Sequence, residues 1–338
     1  AFQQVPFLVA ESNTAKMAAL LDDLGLEASL VALSRRDYSQ SIEKARCLLV
    51  GENVGICPSG RLDELRQRVE HNFAWAETVS KPDQPKLADP VMIRAYNGVQ
   101  KGATAFFRNR LFIETLFSRL QAEEGKPVKI LVHACSVGAE PYSLALWWLR
   151  KVLPERPGLG KIEIVATDIN AEFLGFARQG SYPESVLAGM TSEEQSWFEH
   201  ANGSIVVPEQ ARRLVRFLEP MSFVDGDPGE QFDAVLIMNA LTYVSPAEQS
   251  IALSRCAAYT RQLLAITAFH PDTVRDDLQR IGFEPVLDRH RQIHEAWGDR
   301  LASGSISPES PDYSWKLPPY DDTIPDYAWR FGVLFQRP

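Results

Sequence analysis

Residues 130–143 read Ile-Leu-Val-His-Ala-Cys-Ser-Val-Gly-Ala-Glu-Pro-Tyr-Ser, and this stretch decides the fold. Its apolar first part is typical of a buried strand, and a turn of small residues follows, in which Gly138 lets a ligand approach the backbone closely. Pro141 suits the first turn of a helix. Open parallel sheets bind ligands at the carboxyl ends of their strands, so the stretch predicts a ligand site there. It is not a GxGxxG pattern, which makes a dinucleotide the less favoured ligand.

Downstream of this stretch, the pattern of strand, turn and helix repeats. Several strands are near-continuous apolar runs, as a sheet covered on both faces requires. The alternation predicts a doubly wound α/β domain. The predicted strands are Lys129–Ala134, Ile162–Thr167, Leu214–Leu218, Phe232–Met238, Leu263–Phe269 and Phe283–Leu287, the predicted helices are Pro141–Val152, Ala171–Arg178, Pro246–Tyr259 and Asp272–Ile281, and the last apolar run is Trp329–Phe335.

Upstream, residues 1–85 are interpreted as a separate helical or mixed module. Apolar residues follow a helical spacing at 17–24 and 62–73, and short apolar runs at 7–9 and 47–50 are candidate strands. The module ends in residues 81–85, Lys-Pro-Asp-Gln-Pro, which are typical of a linker.

Residues 86–125 are interpreted as a helical connection, with a predicted helix over Thr104–Gln121. The α/β domain then covers 126–338. At about 289–327 it contains an insertion rich in Pro and aromatic residues. Loops of this length are usually functional or disordered, and the aromatic residues favour an ordered lid or an interface, with surface packing as the alternative.

Composition limits the function. The 338 residues include 35 Lys and Arg against 44 Asp and Glu, a net charge of −9 that disfavours nucleic acid as a partner. No apolar run reaches the ~18 residues of a membrane span, so we expect no membrane partner either. The four cysteines, Cys47, Cys57, Cys135 and Cys256, form no CxxC pair and are interpreted as reduced thiols of a cytoplasmic protein. The oligomeric state is left open.

Individual polar residues near the predicted strand ends have more than one interpretation. Asp168 follows the second strand, where a carboxylate can accept hydrogen bonds from a ribose diol, but such a residue can equally be a helix cap or a turn residue. His133 is expected to pack against the ligand. His290 and His294 stand four residues apart, but no HExxH glutamate accompanies them, so a solvated pair is favoured and no metal site is predicted.

Four segments, in order, resemble motifs of one family. Residues 104–108, Thr-Ala-Phe-Phe-Arg, are similar to a T-x-F-F-R segment, and residues 135–143 to a C-S-x-G-E-E-P-Y-S loop. Residues 166–169 match an A-T/S-D-I strand end, and residues 239–243 resemble part of an R-N-V-M-I-Y-F stretch. Together they resemble the CheR family of S-adenosylmethionine-dependent methyltransferases, which esterify glutamate side chains of chemotaxis receptors. The resemblance covers about Lys101 to Phe269.

The resemblance implies a class I, Rossmann-like methyltransferase sheet with an antiparallel edge, S-adenosylmethionine as the cofactor and S-adenosylhomocysteine as the product. It places Asp168 at the ribose hydroxyls and Glu140 at the methionine end, and it makes residues 86–125 part of the cofactor pocket. Arg108 and Tyr243 are implied as the catalytic residues that reach a substrate carboxylate. The implied cofactor-binding residues are Thr104, Arg108, Ala134, Cys135, Gly138, Glu140, Asp168, Ile169, Met221, Ser222, Asn239 and Ala240.

A carboxylate acceptor also fits elementary chemistry. A carboxylate with a pKa near ~4 is already deprotonated at neutral pH, so its methylation needs no general base. Arg108 suits the orienting role because a guanidinium holds a carboxylate in a bidentate pair, and Tyr243 can add a hydrogen bond. The alternatives are that Arg108 caps a helix or pairs with an internal acid, and that Tyr243 is a core aromatic residue.

Several positions depart from the family pattern. Gly102 replaces an Asn, Ala139 a Glu and Met238 an Arg, while Met221-Ser222 stands where the family has Asn-Leu. The front module also lacks the basic receptor-docking helix expected of the family. The acceptor is therefore interpreted as either a small-molecule carboxylate or a protein glutamate. An inactive module that binds the cofactor or a signalling protein is the alternative.

Overall fold

A computed structural model of the chain describes residues 7–10, 30–33, 93–96, 101–123, 125–201, 203–267, 275–302, 320, 322–323 and 325–338. By contacts the chain divides into two compact units, Ala1–Pro85 with Gly298–Pro319, and Lys86–Trp297 with Tyr320–Pro338. In the first unit, the strands at Phe7–Ala10 and Leu30–Leu33 pair in parallel. The helices predicted at 17–24 and 62–73 and the strand predicted at 47–50 lie outside the described residues.

The second unit contains a seven-stranded sheet. Labels follow chain order. The strands are β1 Phe7–Ala10, β2 Leu30–Leu33, β3 Ile93–Tyr96, β4 Lys101–Thr104, β5 Val128–His133, β6 Ile162–Ala166, β7 Ser181–Pro183, β8 Glu199–Ala201, β9 Ser204–Val206, β10 Val215–Phe217, β11 Phe232–Met238, β12 Thr260–Thr267, β13 Glu284–Pro285 and β14 Leu334–Gln336. The α-helices are α1 Arg110–Arg119, α2 Ala139–Trp147, α3 Leu153–Glu155, α4 Ala171–Gln179, α5 Ser192–Gln195, α6 Glu209–Arg212, α7 Pro246–Ala258, α8 Arg275–Arg280, α9 His290–Ala302 and α10 Tyr327–Arg330, and a π-helical segment Trp148–Val152 joins α2 to α3.

The order of strands in this sheet is β10-β6-β5-β11-β12-β14-β13. Neighbouring strands are parallel except at β14, which is antiparallel to both of its neighbours. From β5 the chain adds β6 and then β10 on one side, and it then returns to place β11 on the other side of β5. The order therefore reverses between β5 and β11, and such a switch point opens a crevice at the carboxyl ends of the two strands. The prediction of a doubly wound α/β domain is confirmed.

The centre of the sheet is buried on both faces. All seven residues of β11 are buried, as are Ile130, Leu131 and Val132 of β5. This explains why these strands are continuous apolar runs rather than alternating ones. The strand predicted at Phe232–Met238 has the same bounds as β11, because a strand buried on both faces is apolar at nearly every position.

The helix predicted over Thr104–Gln121 is wrong in its first part. Thr104 ends strand β4, which forms an antiparallel hairpin with β3. Phe107 has a φ of 49°, a left-handed conformation that a helix cannot contain. Helix α1 starts only after Asn109, whose side chain accepts a hydrogen bond from Phe112 N at 3.0 Å and so caps the helix. Residues 105–109 are thus a folded turn that presents Arg108.

A small three-stranded antiparallel sheet, in the order β7-β9-β8, was not predicted. Each of its strands has only three residues, too few for an alternation of apolar and polar residues to be recognised. Its buried side chains include Tyr182 and Ile205, and Trp197 and Phe198 immediately before β8 are buried too.

The predicted irregular insertion at about 289–327 contains helix α9 at its start. The interpretation of His290 and His294 as a solvated pair is wrong, because both side chains are buried. His290 bonds the Tyr320 hydroxyl and Ala328 O, both at 2.9 Å, and the ring of His294 lies 4.8 Å from that of Phe331. Among the helices that the described residues form, none combines the length and apolar character needed to cross a membrane.

Candidate functional site

The carboxyl ends of β5 and β11 carry strained backbone. Among the described residues, five non-glycine residues have a positive φ, and Ala134, Ser136 and Asn239 are three of them, with φ values of 51°, 51° and 56°. Each costs on the order of 1–2 kcal/mol relative to an ordinary conformation. Such strain concentrates where a protein shapes its backbone around a ligand. A fourth, Phe107, lies in the turn before Arg108.

Gly138 ends the β5–α2 loop, defined as residues 134–138. Its φ is 86°, and a Cβ atom there would lie 2.8 Å from Cβ of Ala177 in α4. Glycine is therefore required both by conformation and by space. The loop lies directly against α4, which keeps its backbone in one place at the mouth of the crevice.

Asp168 connects the ends of β5 and β6. Its Oδ2 accepts a hydrogen bond from Ser136 N at 2.8 Å, and its Oδ1 accepts one from Asn170 N at 2.9 Å. The second bond is a local turn contact, so the alternative interpretation of Asp168 as a turn residue holds in part. The helix cap is a different residue: Asn170 accepts from Glu172 N and Phe173 N at the start of α4. The first bond reaches across the sheet and fixes the strained Ser136.

Burial raises the pKa of Asp168, while hydrogen bonds from the backbone of Asn170, Ser136 and Ile169 act in the opposite direction. The carboxylate is 8% exposed and receives only neutral N–H donors in these contacts. Each carboxylate oxygen has more than one acceptor direction, so capacity remains for further donors.

Two buried polar atoms of the crevice have no hydrogen-bond partner within the protein. They are Ser136 Oγ and Asn239 Nδ2. Buried polar atoms are almost always paired, and an exception indicates a functional role. Asn239 is held by its own backbone, since its N–H donates to Thr267 Oγ1 at 2.7 Å. Ser136 was not predicted as a site residue, although it lies within residues 130–143.

The hairpin of β3 and β4 lies against the β5–α2 loop. A Cβ atom at Gly102 would be 2.6 Å from the ring of Phe173 and would also collide with Ser136 Oγ. The family's Asn cannot be accommodated here without a shift of these neighbours. This contact places the strand that carries buried Thr104 next to the loop. Arg108 follows, half-buried, with its Nη2 3.4 Å from Ala103 O.

The remaining predicted residues lie along the same edge of the sheet. Met221 N donates to Asp168 O at 3.0 Å, which brings Met221 and Ser222 to the end of β6. Ala240 is buried, and Ile169 and Tyr243 are 57% and 66% exposed. The interpretation of Tyr243 as a core aromatic residue is therefore wrong. Glu140 lies in the first turn of α2, where a negative charge is favourable.

Cys135 and His133 do not form a nucleophilic pair. Burial, together with Asp168 and Glu140, raises the pKa of the Cys135 thiol well above its usual value, so the thiolate is disfavoured. His133 has a partner inside the protein: its ring is buried and its Nε2 lies 2.8 Å from the Tyr259 hydroxyl, while the expectation that it packs against a ligand stays a prediction. Within the described ranges, no group of three or more His, Cys, Asp or Glu side chains could hold a metal ion.

Counted from β5, the strand order is 3-2-1-4-5-7-6 with only the seventh strand antiparallel, which is the class I methyltransferase arrangement. Residues 102–267 match the family described as the CheR methyltransferase, SAM binding domain. The chain is 31% identical over 231 residues to a chemotaxis protein methyltransferase of Vibrio anguillarum, an alignment that covers 66% of this chain and 82% of the relative. The corresponding protein of Vibrio parahaemolyticus is 29% identical with the same coverage.

The chain belongs to the CheR methyltransferase family and is an S-adenosylmethionine-dependent methyltransferase. Among solved structures, a TehB-like methyltransferase from Corynebacterium glutamicum is 12% identical with a TM-score of 0.34, covering 66% of this chain and 83% of that one. This likeness is too small to carry an argument. The fold assignment depends on the sheet order and the family.

Proposed function

We propose that the protein transfers a methyl group from S-adenosylmethionine to a glutamate side-chain carboxylate of a protein. The observation that carries the proposal is the position of Arg108: its guanidinium lies against Ala103 O, and the adjacent Gly102 contacts the β5–α2 loop. A cation suited to bidentate binding of a carboxylate thus stands beside the crevice. The relatives' own names, chemotaxis protein methyltransferase, support a protein acceptor.

The crevice fits the cofactor. Asp168 has remaining acceptor capacity for the ribose hydroxyls, and Ile169 beside it offers an exposed apolar surface for the adenine, next to Met221 and Ser222. Ser136 Oγ and Asn239 Nδ2 are buried polar atoms that a polar ligand can satisfy. We assign Glu140 to the amino group of the methionine end. Thr104, Ala134, Cys135, Gly138 and Ala240 line the crevice mainly through their backbone and small side chains.

The cofactor supplies an electrophilic methyl group on a sulfonium sulfur. The residues of this chain contribute by positioning the acceptor carboxylate. Because the acceptor carboxylate is ionised at neutral pH, no residue has to remove a proton. Arg108 orients the two carboxylate oxygens, and the Tyr243 hydroxyl adds a hydrogen bond. Correct orientation of two reacting groups is by itself a large part of a rate acceleration.

Access to the crevice favours a macromolecular acceptor over a buried metabolite. Tyr243 and Ile169 stand on the rim and are both more than half exposed. An open rim lets a side chain on the surface of a large partner reach in. The cytoplasmic location and the absence of a nucleic-acid partner stay predictions from the sequence.

The test uses S-adenosylmethionine with a tritiated methyl group, and the cytoplasmic fragment of a chemoreceptor as the acceptor. We expect protein-bound label that base releases as methanol, the signature of a carboxyl methyl ester. Arg108→Lys should lower kcat/KM at least about 10-fold, since an ammonium lacks the planar fork. Arg119→Ala, an exposed arginine of α1 paired with Asp288 at 3.5 Å, is the control and should match the wild type.

Three results would contradict the proposal. Base-stable label would indicate a nitrogen, sulfur or ether acceptor. Label found only on small carboxylic acids of a cell extract would indicate a metabolite. Cofactor binding without transfer to either acceptor would indicate the inactive binding module.

A further inference from the structure

The β5–α2 loop is held in its strained conformation by a few hydrogen bonds. One comes from the end of β6, where Asp168 accepts from Ser136 N, and a second lies within the loop, where Gly138 N donates to Cys135 O at 3.0 Å. A third comes from the small sheet. The hydroxyl of Tyr182, in β7, donates to Val137 O at 2.7 Å.

Tyr182 contacts both segments that form the crevice. Its side chain is buried, and its hydroxyl lies 3.3 Å from the position that a Cβ of Gly138 would take. Its ring forms a T-shaped pair with the ring of Phe106, with centroids 4.9 Å apart and planes at 88°. Phe106 belongs to the turn that presents Arg108. One side chain thus joins the loop to that turn.

The hydroxyl is a dependable donor. Burial raises the pKa of Tyr182 well above its usual value, so the hydroxyl keeps its proton at neutral pH. Val137 is also buried, so loss of the hydroxyl leaves its carbonyl without this partner. A buried carbonyl without a partner favours rotation of the peptide that joins Val137 to Gly138.

We propose that Tyr182 is a positioning residue for cofactor binding: its hydroxyl fixes the carbonyl of Val137 and thereby keeps Ser136 and Gly138 in the left-handed conformations that shape the crevice. The inference rests on the proposed location of the cofactor at this loop. Tyr182 touches neither cofactor nor acceptor. It acts by raising the fraction of molecules whose loop is ready to bind, and the apparent dissociation constant varies inversely with that fraction.

The matched control is Tyr142. It is equally buried, and its hydroxyl donates at 2.8 Å to a backbone carbonyl, that of Ala177 in α4, outside the loop. Tyr142→Phe and Tyr182→Phe therefore remove the same atom and the same type of bond. The cost of removing a buried hydroxyl is common to both variants, but Ala177 O keeps a second donor, Gly180 N at 3.1 Å.

The experiment is titration calorimetry with S-adenosylhomocysteine on the full chain, alongside thermal unfolding. Tyr182→Phe should raise Kd about 3- to 10-fold, the range that corresponds to the loss of one hydrogen bond. Tyr142→Phe should stay within about twofold of the wild type and lose less in Tm than Tyr182→Phe, since Ala177 O still accepts from Gly180 N at 3.1 Å. Amide exchange in residues 134–140 should be faster in Tyr182→Phe alone, which detects a loosened loop independently of binding. An unchanged Kd in Tyr182→Phe, or equal increases in the two variants, would overturn the inference.

Asp168→Ala separates this inference from the proposed site. If Asp168→Ala binds S-adenosylhomocysteine as the wild type does, the loop is not the cofactor site and the proposed function loses its basis. If Asp168→Ala loses affinity and Tyr182→Phe does not, the site stands and only the role of Tyr182 is wrong.

Discussion

The two ends of the same strands are built in opposite ways. Near the amino ends of β5 and β6, Lys129 and Glu163 are register partners, and Arg216 and Glu230 complete a network with them. Lys129 lies 2.5 Å from Glu230, and Arg216 lies 2.8 Å from Glu163 and 2.5 Å from Glu230. Every charge of this network has an opposite partner.

The carboxyl ends have the reverse character. Ser136 and Asn239 combine left-handed backbone with buried polar atoms that have no partner in the protein. The contrast indicates that the sheet is stabilised at one edge and shaped for a ligand at the other, which is where open α/β sheets bind their ligands. A change at the amino edge should therefore alter stability alone, and a change at the carboxyl edge should alter binding too.

The largest effect on stability is expected from Gly138→Ala. The new methyl group meets Ala177, and the residue is forced into a left-handed conformation. We expect the free energy of unfolding to fall by about 2–4 kcal/mol in urea titrations, with a loss of cofactor binding. Gly125→Ala is the matched change before β5: its φ is 74°, but no atom lies within 4 Å of the new Cβ, so about 1 kcal/mol is expected. Equal losses in the free energy of unfolding of the two variants would show that the contact with Ala177 adds no cost.

A smaller effect concerns pH and His133, at the carboxyl end of β5. Burial lowers the pKa of His133 to about 3, from an ordinary value of 6.5. As the pH falls below 6.5, the unfolded chain takes up a proton here and the folded protein does not, so stability is lost progressively between pH 6.5 and 3. Roughly 1–2 kcal/mol should disappear between pH 6.5 and 5 because of this residue.

His133→Gln should remove this share of the pH dependence in denaturant titrations. His200→Gln, at a ring that is 55% exposed, is the control and should keep the wild-type dependence. A His133→Gln variant whose stability falls with pH as steeply as that of the wild type would show that the ring is protonated without penalty in the folded protein.

The smallest effect is expected from Glu230→Gln at the amino edge. Its side chain is 23% exposed, so water screens the pairs with Lys129 and Arg216 in part. The free energy of unfolding should fall by about 1 kcal/mol or less, and the difference should shrink in 1 M salt. Cofactor affinity should be unchanged. A change in Kd of more than twofold would contradict the claim that residues at the amino edge affect stability alone.

Much of the fold could be predicted because the central strands are buried on both faces. The apolar runs of β5 and β11 and the turn after β5 carry their information locally, in consecutive residues. The same holds for Asp168, which directly follows such a strand. The class of ligand and the family came from motifs of the same local kind.

What could not be predicted depends on contacts distant in sequence. The hydrogen-bond partner of His133, Tyr259, is 126 residues away. Tyr182 lies 45 residues from Val137, in a strand too short to show a pattern. The turn at Phe107 is stabilised by a bond from its N–H to Ser143 Oγ, 36 residues away, which no local propensity reveals.

The most direct measurement compares Asp168→Ala with Asp233→Ala by calorimetry with S-adenosylhomocysteine. Both carboxylates are buried, and each accepts a backbone N–H at 2.8 Å, Asp168 from Ser136 at the carboxyl edge and Asp233 from Lys129 at the amino edge. We predict that Asp168→Ala weakens binding about 100-fold or more, since two hydrogen bonds to a charged acceptor are lost, whereas Asp233→Ala loses stability and binds as the wild type does. Equal affinities in the two variants, or a larger loss in Asp233→Ala, would contradict the assignment of the cofactor to the carboxyl edge.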